Sequence, residues 1–151
     1  VIVEFWGPTW TQFRAAAWLH DVLEDTDTPR EAVLELVGPQ ILAMVEAVTE
    51  PKGMNRKERH AATYPKVRAN EDALIVKLAD RIANVRSGGK SGMYFKEYPE
   101  FRQCLKQEKY DGALGYIVDS MWGSLDNWYF TVKFGLDAVK NHVKQLEDNY
   151  L

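Results

Sequence analysis

The chain has 151 residues, 46% hydrophobic and 27% charged, with a net charge of −3. That length suits one compact domain, and so mild a charge exerts no bulk pull toward nucleic acid or an anionic membrane surface. The single cysteine, Cys104, excludes an intrachain disulfide and fits a reducing cytoplasm; no apolar run is long enough to span a membrane, and no signal-peptide pattern opens the chain.

In chain order, VIVEF opens on apolar residues with no polar leader. It reads as the last turns of a helix stopped by Gly7-Pro8, whose earlier part is expected to lie ahead of Val1. Thr9 or Thr11 is expected to cap the next helix, which carries AAAWLHDVLEDTDT and stops near Asp25; Ala15, Trp18, Leu19, Val22 and Leu23 recur at helical spacing as its buried face. In TDTPRE, Thr28 is the expected N-cap, with Pro29 at the first helical position and Glu31 at the third. This helix runs to Gly38, and Pro39 starts another, through about Thr49. After a loop from Pro51 to Asn55, a polar helix is predicted from Arg56 to Arg68, bent before Pro65. Glu71 to Arg86 is a clear helix with Ile75, Leu78, Ile82 and Val85 along one stripe, ended by SGGKSG. Tyr94 to Gln107 is predicted helical but interrupted near Pro99, and one or two helices follow from about Asp111. Strict alternation long enough for a strand is lacking. The fold is therefore expected to be all-α, a single helical domain with its core in 1–110 and a C-terminal helical extension over 111–151.

Two segments carry chemistry. On a continuous helix His20 and Glu24 are four apart and Asp21 and Glu24 three apart, so they share a face. Acids at a helix C-terminus oppose the helix dipole, and a bound cation would compensate Asp21, Glu24 and Asp25; plain surface polarity is the competing reading. In the second segment Lys77, Asp80 and Asn84 line one face beside the apolar stripe, where an ordinary solvated Lys–Asp pair is equally open. Between the two lie Lys52, Arg56, Lys57, Arg59, Lys66 and Arg68. Most of these are expected to be solvated, with Arg56 and Arg59 facing an anionic substrate, and Arg14 is a further candidate.

Taken together, HDVLEDTDT and KLADRIANVR resemble the signatures of the HD-domain phosphohydrolases, above all the hydrolase domain of RelA/SpoT proteins and their small stand-alone relatives, the metazoan SpoT homologues. In that family HD-x-x-ED-T is followed some sixty residues later by K-L-A-D-[KR]-x-x-N, and Asp80 follows Asp21 at that separation. MYFKEYPEF is similar to the helix that follows the site in short members. The resemblance implies an HD-domain helical bundle with one divalent ion, usually manganese, held by two histidines and two aspartates. By matching positions, His20 and Asp21 are the HD pair and Asp80 the distal aspartate. Glu24 and Asp25 match the acidic pair that orients or activates the attacking water, while Lys77 and Asn84 match positions near the bound nucleotide. The remaining histidine is expected a few residues ahead of Val1. His60, in a polar helix, is expected to be solvated or phosphate-facing, and His142 lies far along the chain; neither is expected to replace that ligand.

The function these residues imply is hydrolysis of a guanosine 3′-pyrophosphate alarmone to GDP or GTP and pyrophosphate. The alternatives are an HD phosphohydrolase of another nucleotide, such as a dNTP or NADPH, and a module that binds nucleotide without turning it over. A nucleotide is the expected partner, with no nucleic acid and no membrane. Finally, Leu125, Tyr129, Val132, Leu136, Val139, Val143, Leu146 and Tyr150 alternate at spacings of four and three, a heptad seam. It packs either on the domain body or, with Trp122 and Trp128, on another copy in a homo-oligomer.

Overall fold

The computed structural model describes residues 1–2, 10–110 and 112–150; within that last stretch, side chains are described except at 112–113, 142–143 and 146–150. Every regular element among the described residues is a helix. The expected helix end at Val1–Trp6 and the cap at Thr9 fall largely outside the described residues, as do the side chains of His142, Val143, Leu146 and Tyr150.

Helix α1 spans Thr11–Leu19, preceded by Trp10, with no side-chain cap. Thr11 is therefore the first helical residue and not the cap. Phe13 and Ala16 face the core, whereas Trp18 is 86% exposed, so the buried face is rotated from the one the apolar spacing marks. A second departure is larger. The chain does not run helically from Thr11 to Asp25: it leaves the helix at His20-Asp21, and the short α2 (Val22–Asp25) follows. Asp21 has φ −101 and ψ −3, the bridge region between helix and strand.

Helix α3 (Arg30–Val48) starts one residue later than its capping pattern predicts. Pro29 stands at the N-cap with extended backbone, and Thr28 instead bonds Thr26 within the loop. At Gly38 the backbone turns to φ 79, ψ 172, which joins two helical pieces across a kink where Gly38-Pro39 predicts a boundary. Helix α4 (Arg56–Arg68) begins as its sequence dictates, in a capping box: Asn55 accepts from the Glu58 N–H, and the Glu58 side chain accepts from the Asn55 N–H. Its lysine at 66 donates to the Glu46 and Thr49 carbonyls at the end of α3, and Arg68 donates to the Cys104 carbonyl. Those two cations fasten helix ends rather than sit free in solvent.

Helix α5 (Glu71–Ser87) is the axis of the molecule. Asn70 caps it, and Gly88 ends it in the left-handed region. Ile75, Leu78, Ile82 and Val85 are all buried, as predicted, but so are Leu74, Val76, Lys77 and Arg81, because α1, α3, α4, α6 and α7 surround it. Helix α6 (Ser91–Leu105) starts earlier than predicted and runs through Pro99 without interruption. Helix α7 (Gly112–Tyr150) is one helix of 39 residues. Val118, Met121, Trp122 and Leu125 belong to the same core as α5 and α6, and the Trp122 indole donates to the Tyr110 hydroxyl. Beyond Tyr129 the helix leaves the body: Phe134, Leu136 and Val139 are exposed. No helix among the described residues is long and apolar enough to cross a membrane.

Candidate active site

The break at His20-Asp21 is what builds the site. In a straight helix, adjacent side chains diverge by about 100°. The bridge-region turn at Asp21 instead sets its Oδ2 2.9 Å from His20 Nε2. On the other side of the same nitrogen, Asp80 Oδ1 from α5 lies at 3.6 Å. The ring is oriented from behind, where Nδ1–H donates to the Ala17 carbonyl at 2.7 Å, which leaves Nε2 to face the two carboxylates. Asn84, one turn after Asp80, donates to the same Oδ1 at 2.6 Å.

An imidazole lone pair and two carboxylates in such proximity require positive charge between them. In the free protein a proton supplies it: Asp21 first and Asp80 second push the His20 pKa up to about 10. Burial pushes Asp80 upward, but the His20 bond and the Lys77 charge outweigh it and leave Asp80 below its ordinary value. A divalent cation meets the same electrostatic demand, and nitrogen with carboxylate oxygen is a donor set that such ions accept. Among the described residues, no three His, Cys, Asp or Glu side chains close around one point as a finished metal cage. What the geometry brings together is His20, Asp21 and Asp80, with the His20 nitrogen as the bridge between the two acids.

The pair opens on a cleft of about 280 Å³ lined by Asp21, Glu24, Glu50, Arg56, Arg59, Lys77, Asp80, Arg81, Asn84, Lys90 and Tyr94. Six of the residues singled out from sequence beyond the His20–Asp21–Asp80 group were Glu24, Asp25, Arg56, Arg59, Lys77 and Asn84; all but Asp25 line it. Asp25 is exposed and does not line it. Arg14 lies elsewhere, in a more apolar pocket of about 350 Å³ that reaches His20 and Asp80 from the α1 side. Lys77 does not pair with Asp80 as the simple helix-face reading had it; it is buried and pairs with Glu50 at 3.2 Å. Glu24 accepts from Arg59 Nη1 at 3.3 Å and from the Glu50 backbone N–H at 3.4 Å. Burial and the neighbouring Glu50 carboxylate raise its pKa.

Three residues that build the cleft are absent from the sequence expectation. Glu50 ends α3's connection and is buried. Arg81 is buried with its guanidinium between the Tyr94 and Phe101 rings, at 4.5 and 4.3 Å. Glu97 binds both Arg56 and Arg81. Arg81 and Glu97 stood within KLADRIANVR and MYFKEYPEF, so a charge inside an otherwise buried helix was the available signal; Glu50, next to Pro51 in a connection, gave none. His60 is a correction: it is buried, stacked on Tyr64 at 4.8 Å, and burial lowers its pKa. It is a packing residue of α4, not a solvated one, because the far side of that polar helix rests on α5 and α6.

Residues 10–96 match the HD domain family, and the chain belongs to that family. A guanosine-3′,5′-bis(diphosphate) 3′-pyrophosphohydrolase of Aquifex aeolicus is 33% identical over 144 residues, which is 89% of this chain and 20% of that protein. The guanosine-3′,5′-bis(diphosphate) 3′-pyrophosphohydrolase MESH1 of Drosophila melanogaster is 39% identical over 72 residues, 47% of this chain and 40% of the relative. A protein of the first name from Spiroplasma citri is 34% identical over 119 residues, covering 67% of this chain and 15% of its own length. The chain thus spans less than half of each of these relatives. No solved structure matches.

Proposed function

We propose that this chain is a divalent-metal-dependent hydrolase of guanosine 3′-pyrophosphate alarmones, releasing pyrophosphate and leaving GDP or GTP. The observation that carries the reading is the single imidazole nitrogen of His20 held against Asp21 and Asp80, two acids that themselves line a cation-walled cleft. The names of the relatives support the substrate class. Manganese is the ion the motif resemblance implies, and the cytoplasm is the compartment in which such a nucleotide is met.

His20, Asp21 and Asp80 would hold the ion, which supplies Lewis acidity and lowers the pKa of water. Glu24 takes the proton of the attacking water: burial raises its affinity for protons, and Arg59 with the Glu50 N–H fixes its carboxylate. Arg56, Arg59 and Lys77 face the departing pyrophosphate, whose negative charge they balance. The bond between the ribose 3′ oxygen and phosphorus breaks; water contributes hydroxyl to phosphorus and a proton to that oxygen.

The test incubates the protein with guanosine tetraphosphate, a panel of dNTPs and NADPH, with and without manganese or magnesium, and assays pyrophosphate and orthophosphate separately. Metal-dependent pyrophosphate release from the tetraphosphate, abolished by chelator, is the expected result. Orthophosphate release, or preference for a dNTP or NADPH, moves the assignment to another nucleotide. Tight binding of the tetraphosphate without turnover makes the chain a binding module.

A further inference from the structure

Glu50 is the one buried carboxylate of the cleft without a place in the reaction above. It is 8% exposed, yet its charge is not spent on one neighbour. Oε1 stands 3.2 Å from Lys77 Nζ on α5, Oε2 stands 3.5 Å from Arg59 Nε on α4, and its backbone N–H reaches Glu24 on α2. His60 Nε2 lies 4.0 Å from Oε1 behind it. Arg59 in turn reaches Glu24 through Nη1, so two cations and the candidate base converge on this one residue.

We propose that Glu50 is a positioning residue that fixes Lys77, Arg59 and, through Arg59, Glu24 in one arrangement before substrate arrives. A flexible lysine and arginine in a cleft lose rotamer freedom when they bind an anion; a buried counter-ion removes that loss in advance. A second carboxylate so close to an anionic substrate would otherwise only repel it, and here it lies between the phosphate-facing cations of two different helices. Arg59 Nε meets Glu50 as an ion pair at 3.5 Å and not as a hydrogen bond, while Nη1 of the same guanidinium donates to Glu24, so the two carboxylates hold it from two sides.

The kinetic part of this inference rests on the hydrolase reading, so the test has two arms on the full chain. In the first, Glu50→Gln and Glu50→Asp are assayed with guanosine tetraphosphate, with the folded fraction checked by circular dichroism. Positioning predicts that Glu50→Gln lowers kcat about tenfold or more, because Glu24 loses its fixed place, whatever the accompanying change in KM, and that Glu50→Asp, which keeps the charge, recovers part of the loss. A raised KM with intact kcat, an unchanged kcat, or no recovery by aspartate overturns it. The second arm needs no turnover. Melting of Glu50→Gln, Lys77→Met and the double variant forms a cycle in which each single change strands a buried charge, so the double variant is expected to melt above the less stable single. Additive melting shifts overturn the proposed holding of Lys77 even if the wild-type protein hydrolyses nothing, and lack of wild-type hydrolysis with a coupled cycle overturns the reaction and leaves the arrangement standing.

Discussion

Glu24 and Asp126 show how a single carboxylate takes its properties from its neighbours. Glu24 is half-buried, close to Glu50 and bound by Arg59, so its proton affinity is raised while its position is fixed. Glu24→Ala is expected to leave metal content unchanged and to lower turnover about 100-fold or more, the range for loss of a general base; metal analysis beside the pyrophosphate assay reads both at once, and unchanged activity removes Glu24 from the mechanism. Asp126 accepts from the Tyr98 hydroxyl, Arg102 and Lys106, tying α7 to α6. Burial pushes its pKa up, but those bonds outweigh burial and hold it below 3.8. A depressed carboxylate contributes stability above its unfolded pKa and loses it as pH falls through the folded value. Asp126→Asn is therefore expected to melt below wild type at neutral pH, with the gap narrowing below pH 3.8.

At the scale of the element, the kink in α3 depends on one residue. Gly38 sits at φ 79, ψ 172, a region that side-chain-bearing residues avoid, although a Cβ there would meet no atom within 4 Å. The cost of a substitution is thus conformational and not steric. Gly38→Ala is expected to lower stability by about 1–3 kcal/mol in urea unfolding. Gly123, in the middle of α7 with open space around it, is the opposite case: Gly123→Ala is expected to add about 0.5–1 kcal/mol. Equal effects of the two would mean that the α3 backbone relaxes and that its kink is not required. The kink matters because Glu50 and Thr49 follow the second half of α3, so its direction sets where the Glu50 carboxylate meets Lys77.

For the whole molecule, α5 is the shared wall against which the site and the core are built. One face carries Ile75, Leu78 and Ile82 into the interior; another carries Lys77, Asp80 and Asn84 to the cleft. The heptad seam of α7 divides at the point where the body ends. Leu125 is buried and Trp128 and Tyr129 pack on Phe95 and Tyr98, whereas Leu136 and Val139 face outward with the stacked pair Phe130 and Phe134. Packing on the body thus accounts for the first part of the seam, and we propose a second copy of the chain as the partner of the exposed part. Truncation after Val132 is expected to keep the fold and the turnover, because the body packs through Leu125, Trp128 and Tyr129. Light scattering on the full and truncated chains tests the pairing: a larger full-length species that the truncation abolishes is the expected result, and a monomer in both ends the idea.

What the sequence determined by itself is whatever depends on near neighbours along the chain. Asn55 and Glu58 cap α4, Gly38-Pro39 breaks α3, Gly88 ends α5, and the apolar stripe of α5 is buried, because each follows from backbone preferences or periodicity within a few residues. The positions of His20, Asp21 and Asp80 were legible through the resemblance of HDVLEDTDT and KLADRIANVR to the motifs of a known family. Only the tertiary structure decided how they meet: a turn at His20-Asp21 stands where a continuous helix is predicted, and the packing of α5 brings Asp80, roughly sixty residues away, to the same imidazole nitrogen as Asp21. Glu50, Arg81 and Glu97 were illegible as a group for the same reason. A buried charge is tolerated only where a partner from another element meets it, and no local pattern states which partner that will be.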